Sequence, residues 1–301
     1  MFFVSTPVLH SIAYFDIFDH PLRKAELVEL CAENKHLDTT LETLVNEGKC
    51  FNSGEFYSLS KNIDSLIAIR LEKEKRAKKY LKKLRSYAKL ISKFPYIKGL
   101  AVSGSLSKNV MHDDGDIDYF IITAKNRLWI CRTFLILFKK VFLLNSRKYF
   151  CVNYFVDEAN LEIKDKNMFT AIELTYLLPV YNTTVFNSFI KENSWLKEYY
   201  TPINHPISFN AIKQKGNQIN WIEKLLGTKL SDKLDLFFMS LTIKRWKKKF
   251  SHFDAEKMEL TMRSNRGISK HHPSDFQSNV LKEYAKRLKK LNIEDESIIY
   301  A

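Results

Sequence analysis

The sequence predicts an α+β chain built from successive units, and three observations carry that prediction. The first sixty residues read as three short helices followed by a hairpin. One long basic helix comes next. Three short apolar runs then alternate with helical patterns up to Ile163, after which the chain reads as helical to its end. Its 301 residues, 45% of them hydrophobic, support two or three packed units with a sizeable core and no need of disulfide staples. Only 8 Gly and 7 Pro exclude collagen-like and low-complexity chains.

Val8 to Phe18 is the first expected helix, stopped near His20-Pro21. Arg23 to Ala32 is the second, with Leu27, Leu30 and Cys31 on one face. Asp38 caps a third, which carries Leu41, Leu44 and Val45 at helical spacing and closes at Gly48. Lys49-Cys50-Phe51 and Phe56-Tyr57-Ser58-Leu59 flank Asn52-Ser53-Gly54, a hairpin signal. Three helices and a hairpin resemble a winged helix-turn-helix, assigned to residues 1–61. Residues 62–95 form a basic connector helix with an apolar stripe at Ala77, Tyr80, Leu81, Leu84, Tyr87, Ala88 and Ile91 and eleven Lys and Arg between Arg70 and Lys93.

Residues 96–165 form the expected strand-bearing core. Ile97 to Ser103 is a strand, Gly104-Ser105 a turn, Leu106 to Val110 a short helix, and Ile117 to Thr123 a second strand. Arg127 to Leu144 is a helix, Tyr149 to Val156 a third strand, and Leu161-Glu162-Ile163 an edge strand. Residues 166–301 read as helical. Met168 to Leu178 is stopped by Pro179, another helix lies within Asn182 to Tyr200, and Trp221 to Lys249 is split near Gly227. A last helix covers Asn279 to Leu291.

Forty-eight Lys and Arg against 34 Asp and Glu leave a formal charge of +14, which suggests an anionic partner. Four cysteines with neither CxxC nor zinc spacing read as reduced thiols in a cytoplasmic protein. The N-terminus lacks a basic leader and is interrupted by Asp16 and Asp19, so no signal peptide is expected. The most apolar stretch, Leu128 to Leu144, is broken by Arg132, Lys139 and Lys140, and no membrane span is expected.

The chemistry concentrates between Gly99 and Thr123. Strand side chains alternate, so Asp116 and Asp118 project on one side while Ile117 points to the core. Two carboxylates roughly 6–7 Å apart along a strand can share a hard divalent cation. Gly104 permits close backbone approach, and the Ser105 hydroxyl with neighbouring N–H groups can cradle phosphate oxygens. Lys108 and Arg132 are the basic residues best placed to reach a phosphate, and Asp113 and Asp114 read as loop acids. His271-His272-Pro273 lacks spaced metal partners, and Trp129 and Trp195 read as packing residues.

This arrangement resembles the nucleotidyltransferase superfamily of the DNA polymerase β fold. The resemblance is carried by Leu100-Ala101-Val102-Ser103-Gly104-Ser105 and by Asp116-Ile117-Asp118 opening Tyr119-Phe120-Ile121-Ile122. It implies a mixed sheet with flanking helices and Gly104 and Ser105 on the triphosphate. It also implies Asp116 and Asp118 on Mg2+ or Mn2+, and an acceptor oxygen displacing pyrophosphate. The superfamily draws a third carboxylate from the next core strand, where this chain has Asn153; Asp157 and Glu162 are the acids that could substitute. Tyr14 to Pro21 and the segment from Asp116 through Arg132 are also similar to a group of bacterial proteins known only as predicted nucleotidyltransferases.

These readings imply an enzyme that transfers a nucleoside monophosphate from an NTP to an unidentified acceptor, anionic or otherwise: RNA, protein or small molecule. A catalytically degenerate nucleotide-binding or regulatory protein is the alternative. A DNA-binding regulator fits less well. The third helix carries Asp38, Glu42 and Glu47 and no base, which makes sequence-specific DNA a poor match.

Overall fold

In the computed structural model the described residues are 6–31, 36–199, 203, 205–214 and 221–293. The chain opens with α1 (Thr6–Asp16), β1 (Leu22–Arg23), α2 (Lys24–Leu30), α3 (Leu37–Asn46), β2 (Phe51–Ser53) and β3 (Phe56–Ser58). The three strands form an antiparallel sheet of order β1-β3-β2. The expected hairpin is present, and β1 is an addition, too short to leave a periodic signal. Asp38 does not cap α3. The helix begins one residue earlier, and Asp38 pairs with Lys24 at 3.0 Å.

Helix α4 (Ile63–Ile91) buries the expected stripe at Ala77, Tyr80, Leu84, Ala88 and Ile91, while Leu81 and Tyr87 at the stripe's edge are half-buried. Its basic surface is not uniformly solvated, because Arg70 is 1% exposed. The Arg70 guanidinium donates to the Pro21 carbonyl, to Glu26 at 2.5 and 2.8 Å and to Glu74 at 2.9 Å. Arg23 grips the same Glu74 carboxylate at 2.5 and 3.0 Å. The connector therefore clamps the Asp19-His20-Pro21 turn through a satisfied buried ion network.

The central sheet is built from β4 (Ile97–Ser103), α5 (Gly104–Ser107), β5 (Asp118–Thr123), α6 (Leu128–Phe142) and β6 (Cys151–Asp157). β4 and β5 are antiparallel, while β5 and β6 are parallel with α6 as the crossover. The chain continues through α7 (Met168–Thr175), β7 (Leu178–Tyr181), α8 (Thr183–Glu192), a 3-10 turn (Ser194–Glu198) and α9 (Trp221–Lys249). It ends with α10 (Ala255–Met262), β8 (Ile268–Lys270) and α11 (Phe276–Lys290). The mixed five-stranded order is β7-β4-β5-β6-β8. Both edge strands thus come from the region expected to be purely helical, so the sheet crosses the expected boundary at residue 165.

Pro179 sits in edge strand β7, where its missing N–H is tolerated. The expected strand at Leu161–Ile163 is absent. Asn193 Nδ2 donates to the Leu161 carbonyl at 2.8 Å and Asn193 Oδ1 accepts from Ile163 N–H at 2.8 Å, so one side chain substitutes for a strand neighbour. Gly227 interrupts α9 with φ +58°, where a split was expected. At the start of α6 no local side chain caps the helix. Asp235 of α9 accepts from the N–H groups of Trp129 (2.8 Å) and Ile130 (3.0 Å) instead.

The sheet is buried on both faces. Phe120 and Ile122 face the core shared with α1 and α7, and Tyr119 and Ile121 face the core shared with α4 and α6. Helices α1 and α11 meet, with Arg287 of α11 pairing with Asp16 of α1 at 2.9 Å and Tyr284 packing edge-on against Tyr14. All four cysteines are free and buried. Among the described residues no helix is long and apolar enough to cross a membrane.

Candidate active site

The register of β4, β5 and β6 sets three residues in a row at one end of the sheet, Ser103 opposite Asp118 and Asp118 opposite Cys151. Asp116 lies just before β5, and one ligand atom each from Asp116, Asp118 and Cys151 falls within a 4.8 Å cluster. The pairing between β5 and β6 then slips. Tyr119 faces Val152 and Phe120 faces Tyr154, which leaves Asn153 as an extra residue. Such a bulge re-aims a side chain. Here Asn153 Nδ2 donates to Asp118 Oδ1 at 3.1 Å.

Gly104 is required where it stands. Its φ is +69°, and a Cβ there would lie 2.9 Å from Asp118 Oδ2. Gly104 N–H donates to Glu173 Oε2 of α7 at 3.3 Å, and Lys108 Nζ donates to Glu173 Oε1 at 2.8 Å. A carboxylate of the protein therefore occupies the Gly-Ser turn from which phosphate oxygens were expected to draw hydrogen bonds. The Ser105 hydroxyl has no partner among the described residues and borders the adjoining cavity.

Burial, and then the neighbouring Asp116 carboxylate, raise the Asp118 carboxyl to about 7, against hydrogen bonds from Cys151 and Asn153 that lower it. Burial and the same two carboxylates push the Cys151 thiol up. The cluster thus offers two hard carboxylate oxygens and one sulfur to a cation.

The site opens into a cavity of about 500 Å³. Gly104, Ser105, Lys108, Asp118 and Asn153 form its sheet-side wall, and Glu173 with Phe169 the α7 wall. Phe15, Phe18 and His20 of the N-terminal unit and His272 and Phe276 near α11 close the remainder. The Tyr14–Pro21 stretch therefore meets the motif in space.

Of the residues expected to bind nucleotide, the structure brings together Gly104, Ser105 and Lys108 with Asp116 and Asp118. Arg132 is placed elsewhere. Its guanidinium lies over the Trp246 ring at 4.7 Å and the Trp129 ring at 5.9 Å between α6 and α9, and burial lowers its pKa to about 10. The two substitute acids are also remote. Asp157 pairs in register with Thr123 at the far end of β5, where it binds the N–H groups of Asn126 and Ala159. Glu162 is exposed and pairs with Lys166 at 2.8 Å. Sequence reasoning did not single out Glu173 or Cys151. One acid among many on a helix and one apolar-strand cysteine carry no local signal, and both needed the strand register to be found. No family model, curated protein or solved structure matches this chain.

Proposed function

We propose that the protein is a metal-dependent nucleotidyltransferase that moves a nucleoside monophosphate from an NTP to an acceptor, with release of pyrophosphate. In this reading β4, β5 and β6 with α5 and α6 form a nucleotidyltransferase-type core. The N-terminal helices and hairpin form a winged-helix-like module used as a cavity wall. The observation that carries the reading is the carboxylate pair at the opening of β5, set against the Gly104-Ser105 turn and beside a cavity.

Asp116 and Asp118 would hold Mg2+ or Mn2+, which neutralises phosphate charge and orients it for in-line displacement. The Gly104 N–H, the Ser105 hydroxyl and Lys108 hold the phosphates after Glu173 withdraws. The acceptor oxygen bonds to the α-phosphorus, the α–β bridging P–O bond breaks, and pyrophosphate leaves with the electron pair. The acceptor proton passes to water.

Asn153 favours a second reading. A neutral amide on the third core strand cannot act as a base, and with Glu173 in the phosphate cradle it supports a protein that binds NTP without turnover. Pyrophosphate release separates the two. Wild-type protein with Mg2+, NTP and extract-derived acceptor is expected to release it. Asp116→Asn with Asp118→Asn is expected to abolish release while keeping the fold, and unchanged release in that double variant would sink the reading.

A further inference from the structure

Three lysines line the cavity beside Asp118, and two of them are held by acids of its walls. Lys108 pairs with Glu173 at 2.8 Å, and Lys270 pairs with Asp165 at 2.9 Å and donates to Gln277 at 3.2 Å. Lys73 of α4 differs. Its ammonium has neither an ion pair nor a hydrogen bond among the described residues. It is half-buried, and burial lowers it, ahead of Asp19, whose charge raises it without forming an ion pair.

Lys73 is fixed against the Gly-Ser/Asp-x-Asp motif by its own helix. The loop of residues 110–115, which links α5 to β5, is tied along one face of α4. Met111 N–H donates to the Lys73 carbonyl at 3.1 Å, Arg76 donates to the Met111 carbonyl at 3.0 Å, and the Tyr80 hydroxyl donates to the Gly115 carbonyl at 3.0 Å. Arg76 also pairs with Asp113 at 2.5 Å. The field of Lys73 shows which part of the cavity it occupies. After burial, the charges that act most on Asp118 are Asp116 and Glu173. Burial and then Lys73 lower His112, and burial, Arg70 and then Lys73 lower His20. The free ammonium therefore stands at the α4 side of the cavity, away from the carboxylate pair.

Resting on the nucleotidyl-transfer reading, we infer that Lys73 binds the terminal phosphate of the NTP. The reacting α-phosphate belongs beside the metal at Asp116 and Asp118. The phosphate chain then runs along Gly104 and the unpartnered Ser105 hydroxyl and ends at the free ammonium. Lys108 reaches a phosphate only by leaving Glu173, whereas Lys73 has three donors and no pair to break. The connector helix thereby sets a preference for a nucleoside triphosphate over its diphosphate.

The test is calorimetric titration of the full chain with Mg2+ and each of ATP, CTP, GTP and UTP at physiological salt, without acceptor. The tightest of the four is then compared with its own diphosphate. Lys73→Gln should weaken the triphosphate about tenfold and the diphosphate less than about threefold. Lys73→Arg, which keeps the charge, should stay within about threefold of the wild type. Lys75→Gln, on the exposed side of the same helix, should change neither. Unchanged triphosphate affinity in Lys73→Gln would overturn the inference. So would an equal loss for the diphosphate, which would place Lys73 on an inner phosphate, or an equal loss in Lys75→Gln, which would reduce the effect to surface charge. A loss in Lys73→Arg as large as in Lys73→Gln would overturn it as well. If Lys73→Gln weakens the triphosphate selectively while the wild type transfers no label, the nucleotidyl-transfer reading falls and the terminal-phosphate assignment remains. If transfer occurs and Lys73→Gln binds the triphosphate as the wild type does, the assignment falls alone. Binding of none of the four would overturn both.

Discussion

Strands β5 and β6 carry acids at both ends, and the two ends are built differently. At the far end Asp157 is 1% exposed and both its oxygens are filled. Oδ1 accepts from Ala159 N–H at 3.0 Å and Asn160 Nδ2 at 2.7 Å, and Oδ2 accepts from Asn126 N–H at 2.9 Å. At the near end Asp118 has the Asn153 amide at 3.1 Å, faces a second carboxylate, and is pushed up to about 7 chiefly by burial. A buried acid that serves structure brings its donors with it. An acid left against a like charge, beside a cavity, has room for a cation from outside.

That contrast is most easily broken by metal affinity. Asp116→Asn with Asp118→Asn should weaken Mn2+ binding, measured by electron paramagnetic resonance, by about 100-fold or more, two carboxylates being the typical protein share of such a site. Asp157→Ala should leave Mn2+ affinity unchanged. Equal loss in both variants would erase the distinction between the two ends.

Stability should respond in the opposite sense. Asp157→Ala strips three donors of their acceptor and should cost about 2–4 kcal/mol in urea unfolding, partly relieved by water. Asp118→Asn should not destabilise metal-free protein at pH 8. The Asp118 carboxyl is raised by folding, so its contribution is present below its unfolded value near 4 and is lost as pH rises through about 7. Removing the charge therefore raises Tm at pH 8 and changes little at pH 5, and a lower Tm at pH 8 would contradict the assignment.

The same proton competes with the metal. Mg2+ should raise the Tm of the wild type at pH 8 and progressively less as pH falls below 7, because protonated Asp118 is no ligand. A pH-independent Mg2+ shift would point to binding elsewhere. The smallest effect is expected from Asn153→Asp, which supplies an acid at the bulge and should tighten Mn2+ severalfold. Unchanged or weaker binding would place Asn153 outside the metal's reach.

Much of the near end was legible in the sequence. The Gly104-Ser105 turn, the Asp116-Ile117-Asp118 spacing and strands β4 to β6 follow from local alternation and turn chemistry. The connector stripe and the break at Gly227 were equally local. What stayed hidden depends on distant pairing. β7 and β8 are short edge strands whose identity comes from the neighbours they bind, β4 and β6. Asp235 caps a helix more than a hundred residues away, so its role leaves no trace near either partner. Glu173 is unremarkable on its own helix and acquires meaning only from the N–H of Gly104. Arg70 counted as one of many surface bases until its burial against Glu26 and Glu74 was visible. Much of the positive charge that suggested nucleic acid thus lies outside the site, and one part of it is structural.

The most direct test of the central claim is transfer of label. Each of the four α-labelled NTPs is incubated with Mg2+, a cell extract and either wild-type protein or the Asp116→Asn, Asp118→Asn variant. The nucleotidyl-transfer reading predicts that label moves onto a new species with at least one NTP and the wild type, and that the double variant leaves all label in the nucleotide. No transfer from any NTP, or the same labelled product with both proteins, would contradict it.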